Sequence, residues 1–495
     1  MKLLKMKIKT LFIIIALGLS TFLSGQIDTL SLDLMQTINI AQKDGIDVQF
    51  ADVSFQNNYW QYQAFLARLR PQLNLRGDIP NINRSIEPII LPDGAEAFIN
   101  RSLMSNSARI NLQQSIPLTG GQIFAQTGLR RIDLFSASGS GNISYLSTPV
   151  SIGFVQPIFG FNQLKWEKRI APLQYEESVK QYSEDFEKIA YDATGYFFEV
   201  LIAQLNLEAA HRDKENADSL YVISKARYDV GKIAETEVLQ MELQAMRADA
   251  TLSQSTLDLS SATERLRNFM GIQQEVAFKL APPETIPEFE VDATEALDLA
   301  NRNRADALAR QRRMLEAERT LAQARANTRP SFDLFASFGL SQTANNLEEV
   351  YRKPLDQEVF SLGFDIPIAD WGKSNAAKQI ARANADLVRL QVQQDAVNFE
   401  REVIVRVQQF ELVKDQVGLA KRSYDLAQRR LDISRKRYLI GKISATDLNI
   451  AIDEEATSRR SYYSALSNYW LAHYYLRGLT LYDFENNVSL VRNKE

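Results

Sequence analysis

Two rows of apolar residues in the second half of the chain have the spacing of a packed α-helix. The first has steps of three and four that average near 3.5, the coiled-coil period, and comprises Val403, Val407, Phe410, Val413, Val417, Ala420, Tyr424, Ala427 and Leu431. The second recurs at strict sevens: Val405, Leu412, Leu419, Leu426, Ile433 and Ile440. The rows lie about 200° apart around a helix. This pattern predicts packing neighbours on both sides, as in a curved wall of helices; the alternative is a long helical hairpin in a globular bundle.

The predicted helices are very long. Proline is absent from Leu173 to Leu280 and from Ile368 to the C-terminus, and both stretches are rich in strong helix formers. A helix over about 374–438 would be on the order of 100 Å long. The first half of the chain keeps much of the first apolar row, interrupted by Lys214, as Ala193, Phe197, Val200, Ala203, Leu207, Ala210, Ala217 and Tyr221.

A second kind of segment alternates apolar with polar or small residues, which is the period of a β-strand. The clearest examples are residues 72–76, 108–113, 150–154, 331–338 and 359–364. With their flanks they approach the roughly 9 to 11 residues of a transmembrane strand. Because bilayers admit strands only in closed barrels, and four to six strands enclose no usable lumen, several chains must share one barrel. A cyclic homo-oligomer follows if the strands span a membrane.

Aromatic residues lie where these strands give way to helices: Phe159, Phe161, Trp166 and Trp371. Such rings are typical of the interfacial girdle of a membrane protein. Packing in an ordinary core is the alternative, and the aromatic residues alone do not decide between the two.

The chain is internally duplicated. Residues 227–233, with Thr236, recur 210 positions later as residues 437–443, with Thr446. Upstream, the match between Arg70-Pro71 and Arg329-Pro330 has an offset of 259, so the first copy carries about 49 extra residues. We predict a first repeat over 26–280 with an inserted segment at 86–147, a linker at 281–290, a second repeat over 291–485 and a tail at 486–495.

The N-terminus resembles a secretory signal peptide over residues 1–25. Four lysines precede an apolar run and a small-residue site near Gly25. Removing four lysines and no acids changes the formal charge from -4 to -8, so no net basic charge suggests nucleic acid. The chain has no cysteine, which excludes disulfides and thiol catalysis. No later stretch approaches the roughly 18 to 20 apolar residues of a spanning helix.

The duplicated helix-strand-strand-helix unit and the two Arg-Tyr-x-x-Gly-Lys-Ile turns resemble the TolC-type outer membrane efflux proteins. The resemblance covers essentially the whole mature chain. It implies a mainly α protein with transmembrane β-structure: a trimeric 12-stranded β-barrel in the outer membrane, continuous with a long periplasmic α-helical barrel. The barrel strands would be residues 71–85, 148–158, 331–342 and 358–368. The segment 86–147 departs from this pattern, and an added hairpin, an external loop and a plug all remain open for it.

The resemblance also implies roles for the two turns. In the family they dock a periplasmic adaptor and constrict the channel. Carried over by position, the docking residues are Gly231, Lys232, Ile233 and Thr236, with Gly441, Lys442, Ile443 and Thr446. Tyr438 and Glu237 match positions that hold the aperture shut, and Asp447 matches an acidic ring. Two departures weaken a salt-bridged gate: the family's basic locking position is Ile443 here, and a second acidic position is Ile450.

Enzymatic chemistry is not indicated. The only histidines, His211 and His473, lie far apart in helical stretches, and no metal spacing, nucleophile elbow or phosphate loop accompanies them. The sequence predicts a homotrimeric exit duct without cofactors, coupled through an adaptor to an energised inner-membrane transporter. A periplasmic coiled-coil structural or adaptor protein without a pore is the alternative.

Overall fold

The computed structural model describes residues 28–135, 141–283 and 285–492. The proposed signal peptide at 1–25 lies outside these residues. The chain divides into two compact units. One comprises residues 1–54, 180–304 and 400–495, and the other comprises residues 55–179 and 305–399.

The second unit contains one antiparallel sheet of six strands. In chain order the strands are β2 (Gln72–Ile90), β3 (Glu96–Ser115), β4 (Gln122–Leu134), β5 (Asn142–Ile158), β7 (Ser331–Ala344) and β8 (Leu355–Asp365). Their order across the sheet is the same as their order in the chain. The two halves of the chain therefore meet where β5 pairs with β7. Strands β2 and β8 form the two edges of the sheet.

The sheet corrects the strand count expected from the family resemblance. Four strands per chain were expected, but the segment 86–147 contributes the β3–β4 hairpin and lengthens β2 and β5. The expectation of four strands per chain is therefore wrong for the described residues. The strand predicted at residues 108–113 lies in β3 and is confirmed. The rest of the hairpin was hard to recognise because serine and asparagine interrupt its apolar alternation, as in Ser105, Asn106 and Ser107. Pairing with β2 and β5 satisfies its backbone hydrogen bonds.

The helices follow the two sequence offsets. Helices α1 (Leu34–Asp44) and α5 (Ala293–Asn303) both begin after an aspartate whose side chain accepts backbone N–H bonds, Asp33 or Asp292. Helices α2 (Ile46–Arg68) and α6 (Asp306–Ala326) follow them. Helices α3 (Gln163–Asp229) and α7 (Lys373–Leu439) each have 67 residues, and α4 (Glu235–Phe269) and α8 (Ala445–Thr480) follow the glycine turns. Helix α3 begins before the proline-free stretch and contains Pro172.

The first unit also contains two short strand pairs. Strand β1 (Asp28–Leu32) pairs in parallel with β6 (Val276–Leu280), and β9 (Tyr482–Asp483) pairs with β10 (Val488–Ser489). The linker is attached to the long helices. The hydroxyl of Tyr469 donates to the carbonyl of Pro287 at 3.0 Å, and Lys414 donates to the carbonyl of Phe289 at 3.0 Å. These contacts order the connection between the two repeats.

The two apolar rows of α7 have different environments. In the first row, Val403, Val407, Phe410, Val413, Val417 and Leu431 are buried. Every residue of the second row, from Val405 to Ile440, remains at least half exposed. A single chain thus covers one side of this helix and leaves an apolar stripe on the other.

Candidate functional site: the paired glycine turns

The turns after α3 and α7 have the same backbone geometry. Gly231 has φ +68° and Gly441 has φ +74°, a left-handed conformation that favours glycine. In the first turn, the N–H of Lys232 donates to the carbonyl of Arg227 and the N–H of Gly231 donates to that of Tyr228. Lys442 and Gly441 repeat these bonds at 2.9 Å. Both helices therefore end in a Schellman motif, which satisfies carbonyls that would otherwise lack partners.

The helices after the turns begin differently. Ser444 caps α8, and its side chain and that of Asp447 form a reciprocal capping box. The Ser444 hydroxyl donates to Asp447 at 2.8 Å, and these bonds lower the pKa of Asp447. The equivalent of Ser444 is Ala234, which has no hydroxyl, so Glu237 cannot form the same box. The structure thus places Asp447 in a cap and leaves Glu237 half-buried on α4.

Tyr438 is the most enclosed of the predicted gate residues. It is only 3% exposed, and its hydroxyl lies 3.0 Å from that of Ser224 on α3. The guanidinium of Arg227 lies 5.6 Å from the centre of its ring and donates to the carbonyl of Leu439 at 2.8 Å. Met241, Leu431 and Leu448 pack in the same cluster. Within the described part of the chain, no hydrogen bond joins Tyr438 to Glu237.

The equivalent tyrosine of the first turn, Tyr228, is 43% exposed. The duplication is therefore symmetric in backbone and asymmetric in packing. Two other apolar residues at matching positions are exposed: Val230 at 67% and Ile440 at 66%. The remaining predicted docking residues are exposed, except for the half-buried Ile233 and Ile443; they are Lys232, Thr236, Lys442 and Thr446. Thr446 also accepts a long hydrogen bond from Gln240.

A model of the outer membrane efflux protein family matches residues 61–272 and 296–480, which together are most of the chain. The chain belongs to the outer membrane efflux protein family. This assignment favours the outer membrane channel over the periplasmic scaffold that the sequence left open. No curated protein sequence matches the chain.

Solved channels of this family type have a similar fold. The CmeC outer membrane channel of Campylobacter jejuni is 16% identical, with a TM-score of 0.64 over 90% of this chain and 85% of that one. The MtrE outer membrane channel of Neisseria gonorrhoeae, in its open state, is 17% identical, with a TM-score of 0.59 over 90% and 88% of the two chains. CusC is 16% identical, with a TM-score of 0.61 over 90% and 91%. These similarities establish the fold.

None of the helices in residues 28–135, 141–283 and 285–492 combines the length and apolarity needed to cross a membrane.

Three contact residues of the efflux protein's turns were not found by sequence reasoning: Ser224, Arg227 and Ser444. A signal existed for Ser444, because Ser-x-x-Asp before an apolar run is a capping-box pattern. Ser224 and Arg227 both recur at the 210-residue offset, as Ser434 and Arg437, but this repetition did not indicate their contacts with Tyr438. The duplicated motif contains a tyrosine in each copy, and only the tertiary structure distinguishes the buried one from the exposed one.

A charged cluster lies between the long helices of this efflux protein. Arg459 and Glu455 on α8 are buried and form an ion pair at 3.2 Å. Arg435 of α7 lies 3.7 Å from Asp213 of α3. Burial raises the pKa of Asp213, although the positive charges of Arg459 and Arg435 act to lower it. The cluster therefore links three helices through groups that require partners in a low-dielectric environment.

Proposed function

We propose that this protein is the trimeric exit duct of an efflux or secretion system. Its sheet would span the outer membrane, and its helices would form a periplasmic barrel that is gated at the glycine turns. A periplasmic adaptor would dock on the turns and couple the duct to an energised inner-membrane transporter. The observation that carries this proposal is the pair of Schellman turns with the same hydrogen-bond pattern, together with the burial of Tyr438 just before the second turn.

Membrane lipid is the proposed partner of the apolar sheet face. Residues that alternate along the strands expose large apolar side chains on this face: Leu73, Leu75, Ile110, Leu112, Ile123, Val150, Ile152, Phe154, Phe338, Phe360 and Leu362. All six strands have 11 to 20 residues, enough to cross a bilayer when tilted. Trp371, 99% exposed between β8 and α7, suits the lipid–water interface.

A second copy of the chain is the proposed partner of the exposed stripe on α7. Helix α4 carries a complementary stripe on which Leu239, Leu243, Met246 and Leu257 are about half or more exposed. Both stripes start beside the glycine turns. Helix α7 ends at the second turn and helix α4 begins after the first, so the two chains run in opposite directions along the stripes. Antiparallel packing of α7 on α4 of a neighbour would bury both stripes. Because the two surfaces differ, the contact would be heterologous, and a threefold rotation would close it into a ring.

The turns support docking and gating in different ways. Around Gly231 and Gly441, no heavy atom of the described residues, apart from the glycine and its chain neighbours, lies within 4 Å of where a Cβ would stand, so the backbone is open to a partner. Val230 and Ile440 offer apolar anchors beside it. Opening would shift the helix ends between two arrangements that the adaptor binds with different affinity. The closed arrangement would be held by Tyr438 with Ser224 and Arg227, and by Glu237 across neighbouring helices.

Conductance across a planar lipid bilayer tests this function, using detergent-extracted protein whose trimeric mass has been checked. We expect discrete, small steps that become larger when Tyr438 and Glu237 are both replaced by alanine. Replacing Tyr228 by alanine is the matched control, since this exposed tyrosine lacks the buried contact. A trimer whose steps are unchanged by the double replacement would contradict the gate. A water-soluble protein that forms no steps would contradict the duct itself.

A further inference from the structure

We infer that the β3–β4 hairpin is part of the lipid-facing barrel wall, so that a trimer closes a barrel of about eighteen strands rather than twelve. This inference rests on the proposed function, because it assumes the trimer and the membrane-spanning sheet. It decides between the possibilities for segment 86–147: an added hairpin, an external loop and a plug.

An apolar row of the sheet continues through the hairpin. One row of directly paired residues crosses five strands: Leu73, Leu112, Ala125, Ile152 and Phe338. The second and third members of this row belong to β3 and β4. Leu112 is 43% exposed, comparable to Ile152 at 55% in the neighbouring strand. A loop or plug that is surrounded by water is not expected to extend an exposed apolar row in register with the neighbouring strands, because surfaces in water rarely expose continuous apolar patches.

The opposite face of the hairpin is mainly polar in the same register, with Phe124 as an apolar exception. The adjacent row runs Asn74, Asn111, Gln126, Ser151 and Gly339. Apolar and polar residues thus alternate over residues 108–113 of β3, whereas β4 departs from this alternation at Phe124. This alternation is the pattern of a transmembrane barrel with lipid on one side and an aqueous lumen on the other.

Side-chain packing joins β4 to the rest of the sheet. The ring of Phe124 in β4 stacks on Phe335 in β7, with centroids 5.9 Å apart. The strand between them, β5, has Gly153 at this point. A Cβ there would lie 2.5 Å from the ring of Phe124, so the glycine makes room for the stack. The inserted strand therefore packs across β5 onto a strand of the second repeat.

A six-strand contribution changes what the barrel can contain. Barrel diameter grows roughly linearly with strand number, and barrels of about 16 to 18 strands leave an aqueous channel. The hairpin would therefore widen the outer-membrane section of the duct. We expect this section to pass bulkier cargo than a twelve-stranded barrel of the same family.

The test uses single cysteines, which label uniquely because the chain has none of its own. A fluorophore is attached at Leu112→Cys or Ala125→Cys on the apolar face, and at Asn111→Cys or Gln126→Cys on the polar face. Each labelled full-length protein is reconstituted into vesicles of ordinary or brominated-chain phosphatidylcholine. We expect brominated lipid to quench the labels at positions 112 and 125 and to leave those at 111 and 126 unaffected. Phe360→Cys and Ser361→Cys in β8 are the matched controls.

The controls separate the two levels of the proposal. Quenching at position 360 without quenching at 112 and 125 would overturn the eighteen-strand barrel and leave the membrane channel intact. Absence of quenching at position 360 as well would overturn the membrane-spanning sheet, and both proposals with it.

Disulfide formation gives an independent reading of strand order. The pair Gln126→Cys and Ser151→Cys occupies directly opposed positions in β4 and β5, at a separation that suits a disulfide. We expect this pair to cross-link in outer membranes. Asn74→Cys with Ser151→Cys joins strands three steps apart, about 14 Å at normal strand spacing, so it should not cross-link. The reverse result would mean that β2 pairs directly with β5 and that the hairpin lies outside the wall.

Discussion

The hydroxyl oxygens of Tyr438 and Ser224 lie 3.0 Å apart in a buried contact between α7 and α3. The two residues are 214 positions apart in sequence and belong to different repeats. The bond joins the two helices close to where each of them ends in a glycine turn. Tyr228, the equivalent tyrosine of the first turn, is instead 43% exposed.

Replacing Tyr438 by phenylalanine should remove this bond and leave the ring in place. We expect a loss of about 1 kcal/mol in the free energy of unfolding, the usual net value of a buried hydrogen bond. If the gate is held here, the open fraction in bilayer recordings should also rise. Tyr228→Phe should change neither quantity, and an equal effect of the two substitutions would argue against a gate at Tyr438.

Replacing Gly441 by valine should disrupt the second turn. A β-branched residue in the left-handed conformation costs on the order of 1 to 3 kcal/mol, so the turn must rearrange. We expect loss of efflux with trimer assembly retained, measured by drug accumulation and by mass on native gels. Gly418→Val is the matched control, because Gly418 lies within α7 with nothing within 4 Å of its added Cβ. Normal efflux by the Gly441 variant would contradict the docking role.

Replacing Ala234 by serine should give α4 the cap that α8 already has. Position 234 lies three residues before Glu237, the spacing of a capping box. We expect the first turn of α4 to gain about 0.5 to 1 kcal/mol and its amides to exchange hydrogen more slowly. Ser444→Ala should have the opposite effect on α8. Unchanged exchange in both variants would show that side-chain caps do not limit opening of the turns.

Lowering the pH should destabilise the unit that contains His473. The ring is 2% exposed, and its pKa is lowered from 6.5 to about 4, mainly by burial and also by Arg477, while Asp483 opposes the shift. Since the unfolded state binds the proton more readily, stability is complete above pH 6.5 and falls as the pH drops towards 4. The loss should be on the order of 3 kcal/mol.

Thermal unfolding of detergent-solubilised protein, followed by helical circular dichroism, measures this loss. Phe289, Phe410 and Tyr469 surround the ring, and its Nδ1 has no hydrogen-bond partner among the residues that the structure describes. His473→Phe should therefore fold and show a weaker pH dependence. The exposed His211, changed to glutamine, is the control and should behave as wild type.

Replacing Leu419 by glutamate should weaken the trimer. Leu419 is 69% exposed in one chain and lies at the centre of the stripe that we assign to a neighbouring copy. Burying an unpaired charge there costs several kcal/mol, so the variant should shift from trimer to monomer in analytical ultracentrifugation. Arg429→Glu, at an exposed polar position of the same helix, should stay trimeric. A trimeric Leu419 variant would place the contact elsewhere.

The sequence by itself determined the repeated elements. Both turn glycines, both apolar rows of α7 and the strands that flank the helices follow from local periodicity and from the backbone freedom of glycine. These features depend on residues within a few positions of one another, so they can be predicted without knowledge of what each face contacts.

Only the tertiary structure decided which partners cover those faces. It placed segment 86–147 in the sheet, because β3 and β4 gain backbone hydrogen bonds from β2 and β5 that no local pattern specifies. It also selected Tyr438 over Tyr228 for burial beside Ser224. The two similar motifs lie in different environments because packing depends on residues that are distant in sequence. Periodicity predicts which face of a helix or strand is apolar, but it does not predict which residues cover that face.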